Sequence, residues 1–180
     1  GVLGTIVKVS LGGKLIETAN VVWRYGSGPD ESAWSVSLPG PEWIRGAAVD
    51  SDGGTWVLMH QFIESKPLNI LTTSVAYVSA AGELKFIREI PSSPRAQVTY
   101  YDIVALKGGG VALVGSIVRA DSVVWNGGSF DSNTDGVVTR LDNDGQEVWS
   151  KSFGVGEWDS FDSVAQSKDG SIVAVGDIAA

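Results

Sequence analysis

Two hairpin patterns recur three times along the chain, and this recurrence constrains the fold more than any other sequence feature. In the first pattern an alternating strand leads into a turn whose glycine falls four residues after an apolar position, at residues 5–16, 74–86 and 136–149. The second pattern is a more apolar hairpin, at residues 47–62, 103–117 and 163–178. Glycine allows the positive φ that a reversing strand requires. The two patterns alternate with a period of about 60 residues.

The composition favours strands over helices. The 180 residues are 43% hydrophobic and include 23 glycines, many of which follow Asp, Asn or Gly. Apolar residues alternate or occur in short runs, and no 12-residue window has a convincing helical period. This combination predicts an all-β chain with many short strands joined by tight turns.

Repeats with four short strands are typical of β-propeller blades. The two hairpins predict three four-stranded blades in a single domain spanning residues 1–180. The blades are expected at about 5–63, 74–117 and 135–180, with interblade loops at 64–73 and 118–134. The last strand of each repeat is the most apolar, and we expect it nearest the propeller axis with both faces buried.

Three blades are too few to close a ring readily, and they leave two exposed edges. We therefore expect the chain to be part of a larger propeller, or to be completed by a second copy or by a different protein. Nucleic acid is an unsuitable partner, because the formal net charge is −8 and the basic residues are scattered. No apolar run is long enough to cross a bilayer, so no transmembrane segment is expected.

The third repeat carries the clearest family resemblance. It contains VTRLDNDGQEVW, SKSFG, DSVAQ, KDGS and IVAVG between residues 138 and 176. This order resembles that of β-propeller repeats of about 60 residues in bacterial surface proteins, V-x-K/R-L-D-x-x-G-x-x-x-W, F-G-G, D-G-G and V-x-G. The second repeat matches moderately and the first weakly. The resemblance implies a non-enzymatic binding or structural module outside the cytoplasm, in a secreted or cell-surface protein.

A weaker likeness concerns the segment GQEVW at residues 145–149. It is similar to the G-K-x-x-W docking element of quinoprotein (PQQ-like) propellers, in which the Trp locks neighbouring blades. This chain lacks the Ala and the Thr-Gly-Lys of that motif, and only one repeat has the Trp. Blades of a propeller enzyme, either a quinoprotein or a glycan-processing enzyme, are the alternative of a different class.

Seven tryptophans are many for a chain of this length. Trp34 and Trp149 each precede another Trp by nine residues, which suggests equivalent positions, and we expect both to pack between blades. Trp43 and Trp158 precede chain reversals and are expected to be exposed platforms. With Trp125 they are the candidate ligand-binding residues, and a carbohydrate-binding propeller is a further alternative because Trp faces stack on sugars.

One segment has the residue types of a calcium loop. Calcium requires six to eight oxygen ligands, and alternate positions of a curled loop point inward. The candidate ligands are Asp131, Asn133, Asp135, the Val137 carbonyl, Thr139 and Asp142. The alternative is a polar interblade loop without metal, so the cofactor is either calcium or none.

No catalytic constellation stands out. The sole histidine, His60, lies within an apolar strand pattern and is expected to be a structural residue. The chain has no cysteine, so thiolate and disulfide chemistry are excluded. We predict no catalytic residues and no enzymatic activity.

Overall fold

A computed structural model describes the backbone of residues 2–9, 15–22, 35–37, 42–63, 70–91, 96–126, 129–154 and 158–178. Side chains are described for 43–61, 71–91, 97–118, 133–154 and 158–178. All regular secondary structure in these residues is β-strand, which confirms the all-β prediction. The described part of the chain has no helix of the length and apolarity needed to cross a membrane.

The first three strands form sheet I. They are β1 (Val2–Val9), β2 (Leu15–Val22) and β3 (Ser35–Ser37). β1 and β2 form an antiparallel hairpin, and β3 pairs with β2 in parallel. One edge of β1 is therefore not paired within this sheet.

The next eight strands form two antiparallel four-stranded sheets with consecutive strand order. Sheet II contains β4 (Glu42–Val49), β5 (Thr55–Ile63), β6 (Ile70–Val78) and β7 (Leu84–Ile90). Sheet III contains β8 (Ala96–Ala105), β9 (Val111–Asn126), β10 (Ser129–Leu141) and β11 (Glu147–Phe153). Sheet IV has only two strands, β12 (Ser160–Gln166) and β13 (Ile172–Asp177), within the described residues.

The strands group differently from the expected repeat units. The units 5–63, 74–117 and 135–180 each combine strands of two sheets, because β5 pairs with β6 and β9 pairs with β10. Two complete four-stranded sheets are observed in the described residues rather than three. The expected loop at 118–134 is also different, because its residues extend β9 and β10, apart from residues 127–128, which lie outside the description. In the expected loop at 64–73, residues 70–73 belong to β6, and residues 64–69 are not described.

Two hairpin geometries recur in the backbone. The opening hairpins, β4–β5, β8–β9 and β12–β13, each carry a β-bulge in their first strand, between Ile44 and Gly46, Tyr100 and Asp102, and Phe161 and Ser163. The closing hairpins, β1–β2, β6–β7 and β10–β11, share a different register, with closing pairs Val9↔Leu15, Val78↔Leu84 and Leu141↔Glu147. By register, the chain therefore runs as a closing hairpin, two complete sheets and an opening hairpin.

The turns of the opening hairpins share one hydrogen-bond pattern. In each, the residue before the turn accepts from a glycine N–H: Gly53 to Asp50, Gly109 to Leu106, and Gly170 to Ser167. All three glycines have positive φ. In the first of these turns the position is held by Gly53 and not by the adjacent Gly54.

Apolar side chains fill the spaces between successive sheets. One cluster joins sheets II and III, around Trp56, Leu58, Val111, Leu113 and Leu141. A second joins sheets III and IV and includes Ala112, Val114, Val164, Ile172 and Ala174. The described members of a third, Ile44, Val57, Met59, Ala76, Val78 and Ile87, all belong to sheet II.

The most apolar strands are the second strands of sheets II and III. Residues 55–60 of β5 and 111–116 of β9 are buried on both faces, as expected for these sequences. Contacts between sheets also connect their first strands, because β4 contacts β8 and β8 contacts β12. The first strands of successive sheets therefore adjoin, and the expectation about the strand nearest a propeller axis stays a prediction.

Candidate functional site

The bulges of the opening hairpins place three equivalent side chains along the first strands. The extra residues are Arg45 in β4, Tyr101 in β8 and Asp162 in β12. A bulge leaves one residue outside the strand pairing and redirects its side chain, and bulges are common beside binding sites. The same backbone position therefore carries three chemically different side chains, those of Arg45, Tyr101 and Asp162.

Two of these side chains contact each other across sheets II and III. The Arg45 guanidinium carbon lies 5.9 Å from the centroid of the Tyr101 ring. The Tyr101 hydroxyl shares a 2.8 Å hydrogen bond with Ser116 Oγ. A cation over an aromatic face is attracted by the negative potential of the ring. The hydrogen bond to Ser116 holds this ring from its far end, so the Arg45–Tyr101 pair has a defined position.

His60 is buried beside this pair. It is 5% exposed and stands opposite Trp43 in the β4–β5 pairing, so both side chains leave the same face of sheet II. Burial first, and then the Arg45 charge, lowers the pKa of His60, while a backbone hydrogen bond with Tyr100 raises it less. Nε2 has no hydrogen-bond partner among the described residues. The burial agrees with a structural role, and the imidazole is held neutral.

Two of the three candidate tryptophans have described side chains, and both are exposed. Trp43 is 54% exposed at the start of β4, and Trp158 is 63% exposed just before β12, where its backbone forms a bridge with Thr134. Trp125 lies in β9, and its side chain is outside the described set. The hairpin registers align Trp43 with Ser160 rather than with Trp158, so the nine-residue spacing does not mark equivalent positions.

Trp149 packs against the cluster between sheets III and IV, as predicted for a residue between repeat units. Its counterpart Trp34 lies outside the described residues. The registers align Trp149 with Phe86, which packs against the cluster between sheets II and III. An aromatic residue at this position therefore fills the same space in two successive sheets.

The candidate calcium ligands lie on strand β10 and in the turn that follows it, and the side chain of Asp131 is outside the described set. Residues 129–141 form strand β10, where each residue advances the chain by about 3.3 Å. Thr139 is fully buried, and its hydroxyl lies 2.7 Å from both Tyr100 Oη and Ser150 Oγ. The Asp142 carboxylate accepts from the N–H groups of Asp144 and Gln146 within its turn. A curled loop from 131 to 142 is not observed, because cross-strand pairing extends the chain.

The two carboxylates of Asp135 and Asp159 converge beside Gly154. Both lie within 2.5 Å of the point where a β-carbon on Gly154 would stand. The Asp159 N–H donates to the Thr134 carbonyl at 2.8 Å, and Asp159 is fully buried. This contact ties the start of β12 to β10. Among the side chains that the structure describes, no three His, Cys, Asp or Glu residues group as metal ligands do.

Two cavities lie near the turns of the opening hairpins. One of about 470 Å³ is lined by Arg140, Trp149, Gln166 and Ile172 between sheets III and IV. The other, of about 430 Å³, is lined by residues that include Asp50, Tyr77 and Asn143. Burial first, and then a hydrogen bond to Asp50, raises the pKa of Tyr77 to about 12. Tyr77 is therefore a neutral hydrogen-bonding group in this cavity.

Sequence reasoning named Trp43 as a candidate and gave His60 a structural role, and it missed Arg45, Tyr101 and Ser116. The missed residues come together through a bulge in each first strand, and the signals at these bulges are Gly46 after Arg45 and Asp102 after Tyr101, since a glycine inside a strand pattern often marks a bulge. No known protein-family model matches the chain, and a search of curated proteins found no significant relative.

Proposed function

We propose that the chain is a β-propeller-type module that binds a ligand without catalysing a reaction. Two observations support the propeller arrangement. The first strands β4, β8 and β12 contact in succession, and the fourth strands β7 and β11 are largely exposed. Sheets arranged around an axis have their first strands together and their fourth strands at the periphery.

The ligand surface is the part of the first strands around Trp43, Arg45 and Tyr101. The observation that carries this assignment is the Arg45–Tyr101 contact, which aligns two redirected side chains of successive sheets. Trp43 adds an exposed aromatic face on the strand that carries Arg45. The surface combines stacking with a fixed positive charge, so it suits a ligand that has an apolar face and hydrogen-bond acceptors.

Carbohydrate is the second candidate function, and the exposure of Trp43 and Trp158 favours it. An exposed indole offers a sugar ring an apolar face, while Arg45 provides donors for hydroxyl or carboxylate oxygens. The secreted or cell-surface location that the sequence resemblance implies would bring the protein into contact with glycans. Both the secreted or cell-surface location and the carbohydrate ligand are proposed here.

A glycan array tests the carbohydrate proposal. We expect binding that falls at least tenfold in Trp43→Ala and in Arg45→Ala. The matched control is Val49→Ala, because Val49 is 57% exposed on the same strand and carries no stacking or charged group. Binding that is unchanged in both Trp43→Ala and Arg45→Ala would contradict the assignment of this surface.

Product analysis separates a binding module from a propeller enzyme. The bound glycan is incubated with the protein and examined by mass spectrometry. We expect the glycan to be recovered unchanged. Turnover that is lost in Arg45→Ala would instead support the enzyme alternative.

A further inference from the structure

Sheet IV has the backbone geometry of the first half of a complete sheet. The β12–β13 pairing has the same bulge position and the same turn hydrogen bonds as β4–β5 and β8–β9. In sheets II and III, the second strand pairs antiparallel with a third strand. Within the described residues β13 pairs with β12 alone, so the edge that should receive a third strand is unpaired.

Sheet I supplies the geometry of the missing half. The β1–β2 hairpin has a bulge between Lys8 and Val9, and its closing pair is Val9↔Leu15. The β6–β7 and β10–β11 hairpins have the same bulge one residue before the pairs Val78↔Leu84 and Leu141↔Glu147. β1 is therefore a third strand by register, and its edge that is unpaired within the described residues corresponds to the edge by which β6 pairs with β5.

Two apolar side chains of β13 have no covering layer within the described residues. Val173 and Val175 are 47% and 63% exposed. The turn alignment makes them equivalent to Trp56 and Leu58 in β5, which are 2% and 0% exposed, and to Ala112 and Val114 in β9, which are both 0% exposed. The same face is thus buried in sheets II and III and open in sheet IV.

We propose that β1–β2 of a second copy of this chain completes sheet IV, and that two copies exchange these hairpins reciprocally. The known pairings fix the register of the junction. β5 pairs Leu58 with Val75, and β9 pairs Val114 with Val138, so Val175 should lie opposite Ile6 of the second copy. Each copy has two complete sheets, and the two composite sheets give a ring of six.

The packing expected in the ring supports the β1–β2 hairpin of a second copy as the segment that completes sheet IV. β1 contacts β4 within one chain, so a bound β1–β2 hairpin brings sheet II of its own chain next to sheet IV. The face of sheet II on that side carries Val57, Met59, Ala76 and Val78, a cluster whose described members come from sheet II alone. Val173 and Val175 would extend this cluster. Head-to-tail contacts that close produce a ring rather than a filament.

The solution mass is the first test, and the ligand proposal does not affect it. Sedimentation should give twice the 18.9 kDa chain mass at high protein concentration. Val175→Lys should give the single-chain mass with an unchanged circular dichroism spectrum, since a charge on this face opposes burial. Val148→Lys is the control, because Val148 is 49% exposed on the fourth strand β11. A wild-type protein that stays at the single-chain mass would overturn the proposal.

A cross-link between two chains tests the register. The chain has no cysteine, so new thiols are unambiguous. One tagged copy carries Ile6→Cys and another carries Val175→Cys, and residues directly opposite in antiparallel strands are close enough for a disulfide. We expect a mixed disulfide when the copies are combined and oxidised. Ala174→Cys is the matched control, because a one-residue shift points the thiol to the other face and should reduce the yield at least tenfold.

The same variants distinguish the alternatives. A chain that carries both Ile6→Cys and Val175→Cys but cross-links only within itself would show that one copy closes on itself. Equal yields from Val175→Cys and Ala174→Cys would contradict the register. Val175→Lys should retain the ligand affinity of Trp43 and Arg45, so failure of the ring and failure of the ligand surface give different results.

Discussion

Sheets III and IV begin with the same hairpin, yet their second strands lie in different environments. Val114 in β9 and Val175 in β13 are the same residue type at equivalent register positions, and their exposures are 0% and 63%. Sheet III is covered on both faces by sheets II and IV, whereas only one face of sheet IV has a described neighbour. The local sequence therefore determines the hairpin, and the adjacent sheet determines whether the apolar residues of that hairpin are buried.

Asp102 provides one of the polar contacts between sheet IV and sheet III. Asp102 of β8 accepts hydrogen bonds from Ser163 Oγ and from the Val164 N–H, each at 2.9 Å, and also from the Ile103 N–H. The equivalent position in β4 is Gly46, which has no such side chain. A carboxylate thus joins sheet IV to sheet III where sheet II relies on apolar packing. Segments with few buried apolar contacts open at lower free energy than the rest of a fold.

The largest difference in the free energy of unfolding should appear between Ala substitutions of Trp56 and of its equivalent Val173. Trp56 is 2% exposed and packs against Tyr77 and Phe86, with ring centroids 5.0 Å and 5.5 Å away. Trp56→Ala should lower the free energy of unfolding by about 3–5 kcal/mol, because it leaves a large cavity between sheets II and III. Denaturant unfolding of the single-chain form measures this loss. Val173→Ala should cost less than about 0.5 kcal/mol there, and equal losses would contradict the comparison.

Removing the Asp102 carboxylate should weaken sheet IV selectively. Asp102→Ala is expected to cost about 2 kcal/mol, the typical range for hydrogen bonds to a charged acceptor. Hydrogen exchange should accelerate at the amides of β12 and β13 and stay unchanged in β5. Asp102→Asn keeps one acceptor oxygen and should give a smaller change. Uniform acceleration across sheets II, III and IV would show that sheet IV is not a separate unit.

The paired substitutions Val114→Ala and Val175→Ala separate packing within one chain from packing between copies. Val114→Ala should cost about 2 kcal/mol at any protein concentration, from lost methyl burial and a small cavity. Val175→Ala should be nearly neutral in dilute solution and should become destabilising as the concentration rises. Thermal melts over a hundredfold dilution series provide the measurement. A cost at Val175 that does not depend on concentration would rule out burial by a second copy.

The smallest difference between sheets III and IV is expected in the turns of the β8–β9 and β12–β13 hairpins. The Asp169 carboxylate accepts from Ser167 Oγ and from the Ser171 N–H, and these hydrogen bonds lower the pKa of Asp169 to about 2. The equivalent residue in the β8–β9 turn is Gly108. The contribution of Asp169 is therefore complete above its ordinary pKa of 3.8 and is lost as the pH falls toward about 2. A carboxyl titration by NMR should show this midpoint, and Ser167→Ala should raise it.

Strand content and turn positions could be predicted from the sequence because they depend on local chemistry. Gly82 and Gly145 have the positive φ expected from their spacing after an apolar residue. The grouping of strands into sheets could not be predicted in this way. A repeat of two alternating hairpins fits two groupings equally well, and the choice depends on which strand β5 and β9 pair with beyond their own hairpins.

The candidate site shows a similar limit. Trp43 was identified because a large aromatic residue before a polar segment is a local signal. Arg45 and Tyr101 were missed because their contact depends on two bulges in strands of different sheets. The residues from Asp131 to Asp142 have suitable ligand types for calcium, but pairing with β9 extends the segment. In each case the sequence shows the residue types, but it does not show the path of the backbone.

The offset between repeat and sheet has a consequence for how such a chain can change its length over evolution. Each repeat contributes a closing hairpin to one sheet and an opening hairpin to the next. A gene duplication that adds one repeat would therefore insert the four strands of one complete sheet. The first hairpin of this chain would still be a closing hairpin, and the last would still be an opening hairpin. In the proposed ring, the number of repeats could vary while the pairing of β13 with β1 of the second copy keeps its register, so the size of the ring and the residues at this junction could evolve independently.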